Sequence, residues 1–375
     1  MEQWFDTAPD RQGSDSVKWD RYRQRDVIPM WVADMDFAVA PVIDQAIRQR
    51  VEHGVYGYAA VPDTLKQACV EWLARRWGWS ISPSWLVALP AVVPGINFAV
   101  RALAEPGALA VPCPIYPPIA QVAANLQLPM QRFSVQPGQG WDLIELERAC
   151  QQGAKTLLLS VPHNPIGQRF SHQQRQALAQ LCQRYRVQVV SDEIHGDLIL
   201  DGHGHQPLAS LSEDMAQRTL TLISAGKSFN LAGLPFAFAV VANAQWRQRL
   251  KRQLLGHAPT HNVLAMVATE AAWRQGEPWL EALLQYLKGN LALIEARLAA
   301  LDRVVLHRPD ATTLAWIDCR QLGLDDVKGH FEQYGVGFSD GAEFGQAGFV
   351  RLNFACPRAR LTHGLDRFRQ AVLAV

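Results

Sequence analysis

The chain has 375 residues, 49% of them hydrophobic and 19% charged, and its 36 lysines and arginines nearly cancel 35 aspartates and glutamates. That length allows two or three compact units with well-buried cores, and two domains is the working expectation. The balanced charge excludes a composition-driven demand for nucleic acid or an anionic membrane as partner, and no apolar run nears the roughly 20 residues that a membrane helix needs.

The first stretch, MEQWFDTAPDRQGSDS, is polar and acidic where a secretory signal is basic and then apolar, so a cytoplasmic location is expected. Six cysteines (Cys69, Cys113, Cys150, Cys182, Cys319 and Cys356) are scattered without C-x-x-C spacing, which fits reduced thiols better than a disulfide framework. No fixed-period repeat and no low-complexity linker interrupts the chain, although prolines from Pro112 to Pro118 punctuate it sharply. Residues 1–45 are expected to form an N-terminal segment packed on a small domain, 46–250 a large domain, and 251–375 the small C-terminal domain.

Between about residues 85 and 245, the apolar runs LVALPAVV, GALAVP, KTLLLSVP, VQVVSDEI, TLTLISAG and FAFAVVA alternate with helix-like stretches such as SHQQRQALAQLCQRY. Runs that are apolar on both faces and separated by helices predict a mostly parallel sheet covered on both sides, hence an α/β large domain. Beyond residue 245 the pattern changes to long amphipathic helices (WRQRLKRQLL, PWLEALLQYLKGNLALIEARLAAL) and then to the strand-like pieces VVLHRP, TLAWIDC and GFVRLNFA. That reads as a smaller α+β domain joined to the first by a long helix.

In an open parallel sheet the ligand lies beyond the carboxyl ends of the strands. Three such ends carry polar groups: VPHNPIG at 161–167, SDEIH at 191–195 and SAGKSFN at 224–230. Taken singly each has an ordinary explanation: Asn164-Pro165 as a turn, Asp192 and Glu193 as caps, Lys227 as one solvated lysine among many. Together they meet a specific chemical demand. A lysine amine can condense with an aldehyde cofactor, and a carboxylate beneath a pyridine ring keeps that ring protonated as an electron sink, by an effect of a few pK units at most. Lys227 suits the amine and Asp192 the carboxylate. Asn164 can donate to a phenolic oxygen, and Tyr116 in PIYPP can stack on the ring. Phosphate donors are expected from the turn PAVVPGINFAV, where the backbone N–H groups of Val92 and Val93 open a helix, with Pro94 suited to its first position and Ser224 adding a hydroxyl.

Eight stretches in order along nearly the whole chain carry a resemblance: MWVADMDF (30–37), YGYAAVPDTL (56–65), AVVPGINFAV (91–100), PIYPP (114–118), PHNPIG (162–167), SDEIHGDL (191–198), KSFNLAGL (227–234) and GFVRLNFACPR (348–358). The chain resembles the fold-type-I pyridoxal-phosphate enzymes of the aminotransferase class I/II superfamily, and within them the bacterial cystathionine β-lyase branch of carbon-sulfur lyases. The resemblance implies pyridoxal 5'-phosphate as cofactor, carried by Lys227, which would also move the α-proton. Asp192 would meet the pyridine nitrogen, Asn164 the phenolic oxygen and Tyr116 the ring face, with His195 lining the site. Arg351 would grip the substrate α-carboxylate through two parallel hydrogen bonds, and the backbone near Ala33 would close over it. Tyr58 resembles the tyrosine that reaches a neighbouring subunit's phosphate, which implies a homodimer with shared sites.

Departures from the branch pattern are Gly226 where a second small polar residue is usual, Ser228 where threonine is common, and SDGAEFGQAG in place of an SPG-type loop ahead of the arginine. Pro235 stands where many aminotransferases have a phosphate-binding arginine. Two rival clusters are weaker. DGHGH with Asp201, His203 and His205 lacks a fourth ligand at a convincing spacing, so no metal is expected. The Trp-rich stretch EWLARRWGWS sits on a helical pattern and is better explained by packing than by binding.

The implied activity is β-elimination from a cysteine-type amino acid such as cystathionine, giving pyruvate, ammonia and a thiol. An aminotransferase would use the same groups, and a regulatory protein that keeps the fold and cofactor but acts through a partner is the alternative of another class.

Overall fold

A computed structural model describes residues 4–103 and 105–375; the first three residues of the expected N-terminal segment lie outside it. In chain order the strands are β1 (Ile28–Pro29), β2 (Leu86–Leu89), β3 (Ala108–Cys113), β4 (Met130–Gln136), β5 (Gly140–Trp141), β6 (Ala154–Ser160), β7 (Gln188–Asp192), β8 (Thr219–Ile223), β9 (Ala237–Val241), β10 (Val305–His307), β11 (Leu314–Asp318), β12 (Val336–Gly337), β13 (Ser339–Asp340) and β14 (Phe349–Asn353).

Eight of them form the large sheet in the order β2-β9-β8-β7-β6-β3-β4-β5. The ladders from β8 through β4 are all parallel, and β2 runs the same way because β9 is antiparallel to both its neighbours. All residues of β8 and β9 are buried, as helices on both faces require. Helix 172–185, for instance, starts at a reciprocal capping box between Ser171 and Gln174 and turns Leu178, Leu181 and Cys182 inward.

The helix expected to open at Val92 and Val93 begins there, and only Pro94, expected at its first position, is placed differently. The run LVALPAVV is a strand only to Leu89; Ala91 is extended, and Val92 begins a helix to Ala102 whose inner face is Val92, Gly95, Ile96, Ala99 and Val100. Pro94 is therefore the third helical residue, a position where its missing N–H still costs no intrahelical bond. The 250/251 boundary falls inside the helix Ala244–Leu254, and the next helix, Val263–Gln275, packs on helices 41–52 and 63–77 of the large unit. The helix Glu277–Leu298 then leads to the second sheet, antiparallel and ordered β10-β11-β14-β13.

The N-terminal segment reaches that second unit directly. β1 pairs in parallel with β12, and the Asn353 amide donates to Met30 O at 2.8 Å, continuing the contact past the short ladder. Trp72, Trp77 and Trp79 are 1%, 8% and 6% exposed, so the Trp-rich stretch is core, not a binding face.

Candidate active site

The register of the large sheet sets the site. Ser160 on β6 lies level with Asp192 on β7, and Asp192 with Leu222 on β8, so the residues that follow each strand emerge at one rim. β9 runs the other way and starts at that rim, which brings Pro235 and Phe236 to the same place. A single cavity there is lined by Ala33, Val92, Val93, Tyr116, Asn164, Asp192, His195, Ser224, Lys227 and Arg351, together with apolar side chains including Val32, Ile194, Leu231 and Phe236. Every residue to which the sequence reading gives a cofactor- or substrate-binding role lines it except Tyr58, which is 99% exposed on the extended segment after helix 41–52.

Asp192 is buried at the end of β7, and Oδ1 accepts from the Ile194 amide at 3.1 Å. No cation touches it among the described residues, and burial pushes its carboxyl pKa up to about 7 in spite of the Ile194 amide and the Lys227 charge. Lys227 lies after β8, its Nζ donating to Ala33 O at 2.7 Å. Burial first, then the Arg351 charge, bring its ammonium pKa down to about 8. A cavity that raises a carboxyl and lowers an amine favours the neutral form of each, which leaves the amine nucleophilic near neutral pH.

Arg351 sits in the middle of the small sheet, on β14 opposite Trp316 and Ser339. Nη1 donates to Asn164 Oδ1 at 2.9 Å, while Nη2 donates to Trp31 O at 3.0 Å and Ser339 Oγ at 3.2 Å. Its guanidinium carbon lies 4.6 Å from the centre of the Phe344 ring, and its Nε is buried with no partner among the described residues. Burial lowers its pKa to about 10, so it remains a cation at neutral pH. Asn164 is placed by the loop after β6, where His163 Nε2 lies 2.7 Å from Pro114 O and ties that loop to the PIYPP turn carrying Tyr116.

His195 is 3% exposed, and its Nδ1 is buried with no partner among the described residues. Burial, then the charges of Lys227 and Arg351, hold its pKa down to about 3, so the ring is neutral. Ser224 Oγ accepts from the Gly226 amide at 3.0 Å and donates to Phe236 O at 2.6 Å, so its hydroxyl hydrogen is turned away from the cavity. The helix at Val92 has no side-chain cap on its first amides. Gly95 lets that helix lie on the sheet, because a Cβ there would come within 2.6 Å of Leu89 Cδ1.

These features fit the group that the resemblance implies. An unpaired buried carboxylate suits a basic ring nitrogen, an uncapped helix start suits a phosphate, and a buried guanidinium with an unused Nε suits a carboxylate. Among the described residues no cluster of His, Cys, Asp and Glu can hold a metal; in the DGHGH loop, His205 Nε2 instead pairs with the buried Glu193 at 2.7 Å.

Three residues that sequence reasoning passed over hold the roof of the site. Asn353 Nδ2 donates to Val32 O at 2.6 Å and Asp34 O at 2.7 Å. Asn230 accepts from the Met35 amide at 2.9 Å and donates to Met35 O and Phe37 O. Asp36 is buried among Lys18, Arg11 and Arg360, with contacts of 3.0, 3.1 and 2.9 Å. Lys18 is also buried, and these four groups anchor the strap 30–37 that puts Ala33 O over Lys227. The aspartates of MWVADMDF were visible as part of a block, but nothing in the spacing assigns their partners.

The aminotransferase class I and II family matches residues 25–368. Cystathionine β-lyase PatB of Bacillus subtilis is 36% identical over 389 residues, covering 98% of this chain and 99% of that protein. Protein MalY of Escherichia coli is 33% identical over 390 residues, covering 99% of each chain. Among solved structures, OvoB superposes with a TM-score of 0.96 at 42% identity, covering 99% of both chains. The pyridoxal-phosphate-bound C-S lyase of Staphylococcus hominis superposes with a TM-score of 0.92 at 28% identity, covering 98% of both.

Proposed function

Because this chain belongs to the aminotransferase class I and II family, we propose that it is a pyridoxal-phosphate-dependent carbon-sulfur β-lyase acting on cystathionine or a related cysteine S-conjugate. The observation that carries the reading is the shared cavity in which the buried, amine-favouring Lys227 and the unpaired buried Asp192 face one space with Arg351. The similarity to proteins named as cystathionine β-lyases and C-S lyases supports the reaction class over amino transfer.

When bound, the cofactor supplies a sink for the electron pair left at the substrate α-carbon. The chain's own groups do the rest. Asp192 holds a proton on the pyridine nitrogen by placing a negative charge against it in a buried site. The amides of Val92 and Val93 bind phosphate at the helix start, and Asn164 and Tyr116 orient the ring. Arg351, whose guanidinium lines the cavity, would bind the substrate α-carboxylate through charge-assisted hydrogen bonds and so orient the α-carbon. Lys227 would hold the cofactor through its amine, and that amine, when free, would take the α-proton. Loss of that proton and of the thiolate on the β-carbon turns the Cα–H and Cβ–S bonds into a carbon-carbon double bond. Water then hydrolyses the released enamine to pyruvate and ammonia, and the thiolate leaves as thiol.

Tyr58 supports a homodimer. A tyrosine 99% exposed, flanked by Val55 at 60% and Tyr56 at 55%, is an apolar surface that a second copy can cover while Tyr58 enters its phosphate site.

The test is pyruvate and thiol release from cystathionine without added oxo acid. We expect turnover in the native protein and a loss of about 10²–10⁴-fold or more in Lys227→Ala, together with loss of the borohydride-trappable cofactor adduct. Activity that depends on an oxo-acid acceptor would replace the lyase by a transferase.

A further inference from the structure

Behind the wall of the active site lies a second buried carboxylate with no assigned task. The turn 192–198 leaves β7 with Asp192 and His195 facing the cavity and Asp197 facing away from it, where it is 5% exposed. Asp197 Oδ1 accepts from Trp77 Nε1 at 2.7 Å and from Trp72 Nε1 at 3.2 Å. Its Oδ2 accepts from Trp72 Nε1 at 3.1 Å and from Ser228 Oγ at 3.1 Å. Ser228 is fully buried and directly follows Lys227.

One carboxylate thus joins three walls: the strand end that carries Asp192, the turn that carries Lys227, and the helix 63–77. The joint is tight. Gly196 separates His195 from Asp197, and a Cβ there would come within 2.5 Å of the Trp77 ring and 2.8 Å of His205 Cδ2. His205 packs edge-on against Trp77 at 4.6 Å and is held by Glu193, which also accepts from Ser191 Oγ at 2.8 Å. On the other side, Trp72 packs against Phe229, two residues past Lys227.

A purely apolar core would stabilise this region as well, since burying a carboxylate beside two indoles costs desolvation that hydrogen bonds only offset. A charged acceptor in that place does something an apolar side chain cannot: it takes directional bonds from several elements at once and fixes their spacing. Burial opposes its ionisation, while the indoles, Ser228 and the nearby Arg76 favour it.

We propose that Asp197 is a positioning residue that sets, through Ser228, where the Lys227 amine stands relative to the Asp192 carboxylate. The inference rests on the cofactor being carried by Lys227, and it does not depend on which reaction follows.

The test compares native holoprotein with Ser228→Ala, Ser228→Thr and Asp197→Asn, reading the visible absorbance of bound pyridoxal phosphate against pH, borohydride trapping at Lys227, and the separation of kcat from KM. Ser228→Ala and Asp197→Asn should move the pH midpoint of the absorbance and lower kcat roughly tenfold to a hundredfold with KM nearly unchanged. Ser228→Thr, which keeps the hydroxyl, should restore the native midpoint and rate. Variants that melt at lower temperature yet keep the native midpoint and kcat would make Asp197 a packing residue and overturn the proposal, as would Ala and Thr at 228 behaving alike. If Asp197→Asn does not fold, the Ser228 pair decides. Native protein with no visible absorbance overturns the cofactor reading and this proposal with it.

Discussion

Asp36 and Asp192 are both buried carboxylates, one in the N-terminal strap and one at the end of β7, and their surroundings pull them in opposite directions. Asp36 meets Lys18, Arg11 and Arg360 within 3.1 Å, and those cations hold its pKa below the ordinary carboxylate range although burial works against them. Asp192 meets one backbone amide and no cation among the described residues, and its pKa is raised to about 7. The strap closes its own electrostatics within the chain. The rim of the large sheet leaves a buried carboxyl group without a cation, for a ligand to complete, which is how a fold spends stability at a functional site.

The contrast can be broken at either end. Replacing Asp36 by Asn removes the carboxylate that sits between buried Lys18 and Arg360, leaving only Asp34 beside Arg11 and Lys18, and should cost about 3–5 kcal/mol in urea unfolding. Since its folded pKa is depressed, the stabilisation from Asp36 is present above the unfolded carboxyl value and is lost as pH falls through the folded one. Unfolding below about pH 4 that is no steeper in the native protein than in Asp36→Asn would contradict this.

Asp192 gives the opposite sign. Its folded pKa is raised in the cofactor-free protein, so its contribution is fully present below the unfolded value and is lost as pH rises towards about 7. Between pH 4 and pH 8 this group should remove up to about 4 kcal/mol from the cofactor-free fold. Asp192→Asn should abolish that decline while weakening cofactor binding. Equal pH profiles for the two cofactor-free proteins would place the carboxylate outside a closed site.

Arg351→Lys keeps a cation but loses the planar fork and its hold on Asn164. KM should rise about 10–100-fold with the cofactor spectrum retained. The smallest effect is expected from Tyr58→Phe, which removes one hydroxyl from the segment we assign to a partner's phosphate site. Cofactor affinity should fall by about 1 kcal/mol, and the same loss in a protein held monomeric by dilution would detach Tyr58 from the neighbouring site.

Lys227, Asp192 and Asn164 were legible because each follows an uninterrupted apolar run, and in a parallel sheet a strand's carboxyl end is an address as well as a boundary. Arg351 and Ala33 came from the resemblance, since a late strand and a polar loop give no local sign that they meet the same cavity. The supports stayed hidden. Asn353 meets Val32 and Asn230 meets Met35 across most of the chain, and Asp197 reaches Trp72 and Trp77 on a helix more than a hundred residues earlier. Amides and carboxylates of this kind look like ordinary loop polarity until the topology brings their partners to them. The helix start at Val92 was legible in the turn PAVVPGINFAV, and only Pro94 was misplaced, at the first helical position instead of the third.

The strap 30–37 is pinned at one place to β14 by Asn353 and at another to the turn after Lys227 by Asn230, and between those pins its Ala33 carbonyl caps the lysine amine. The cover over the amine is thus suspended from both units at once, and the height of the Ala33 carbonyl is set by two amide side chains rather than by the strap's own backbone.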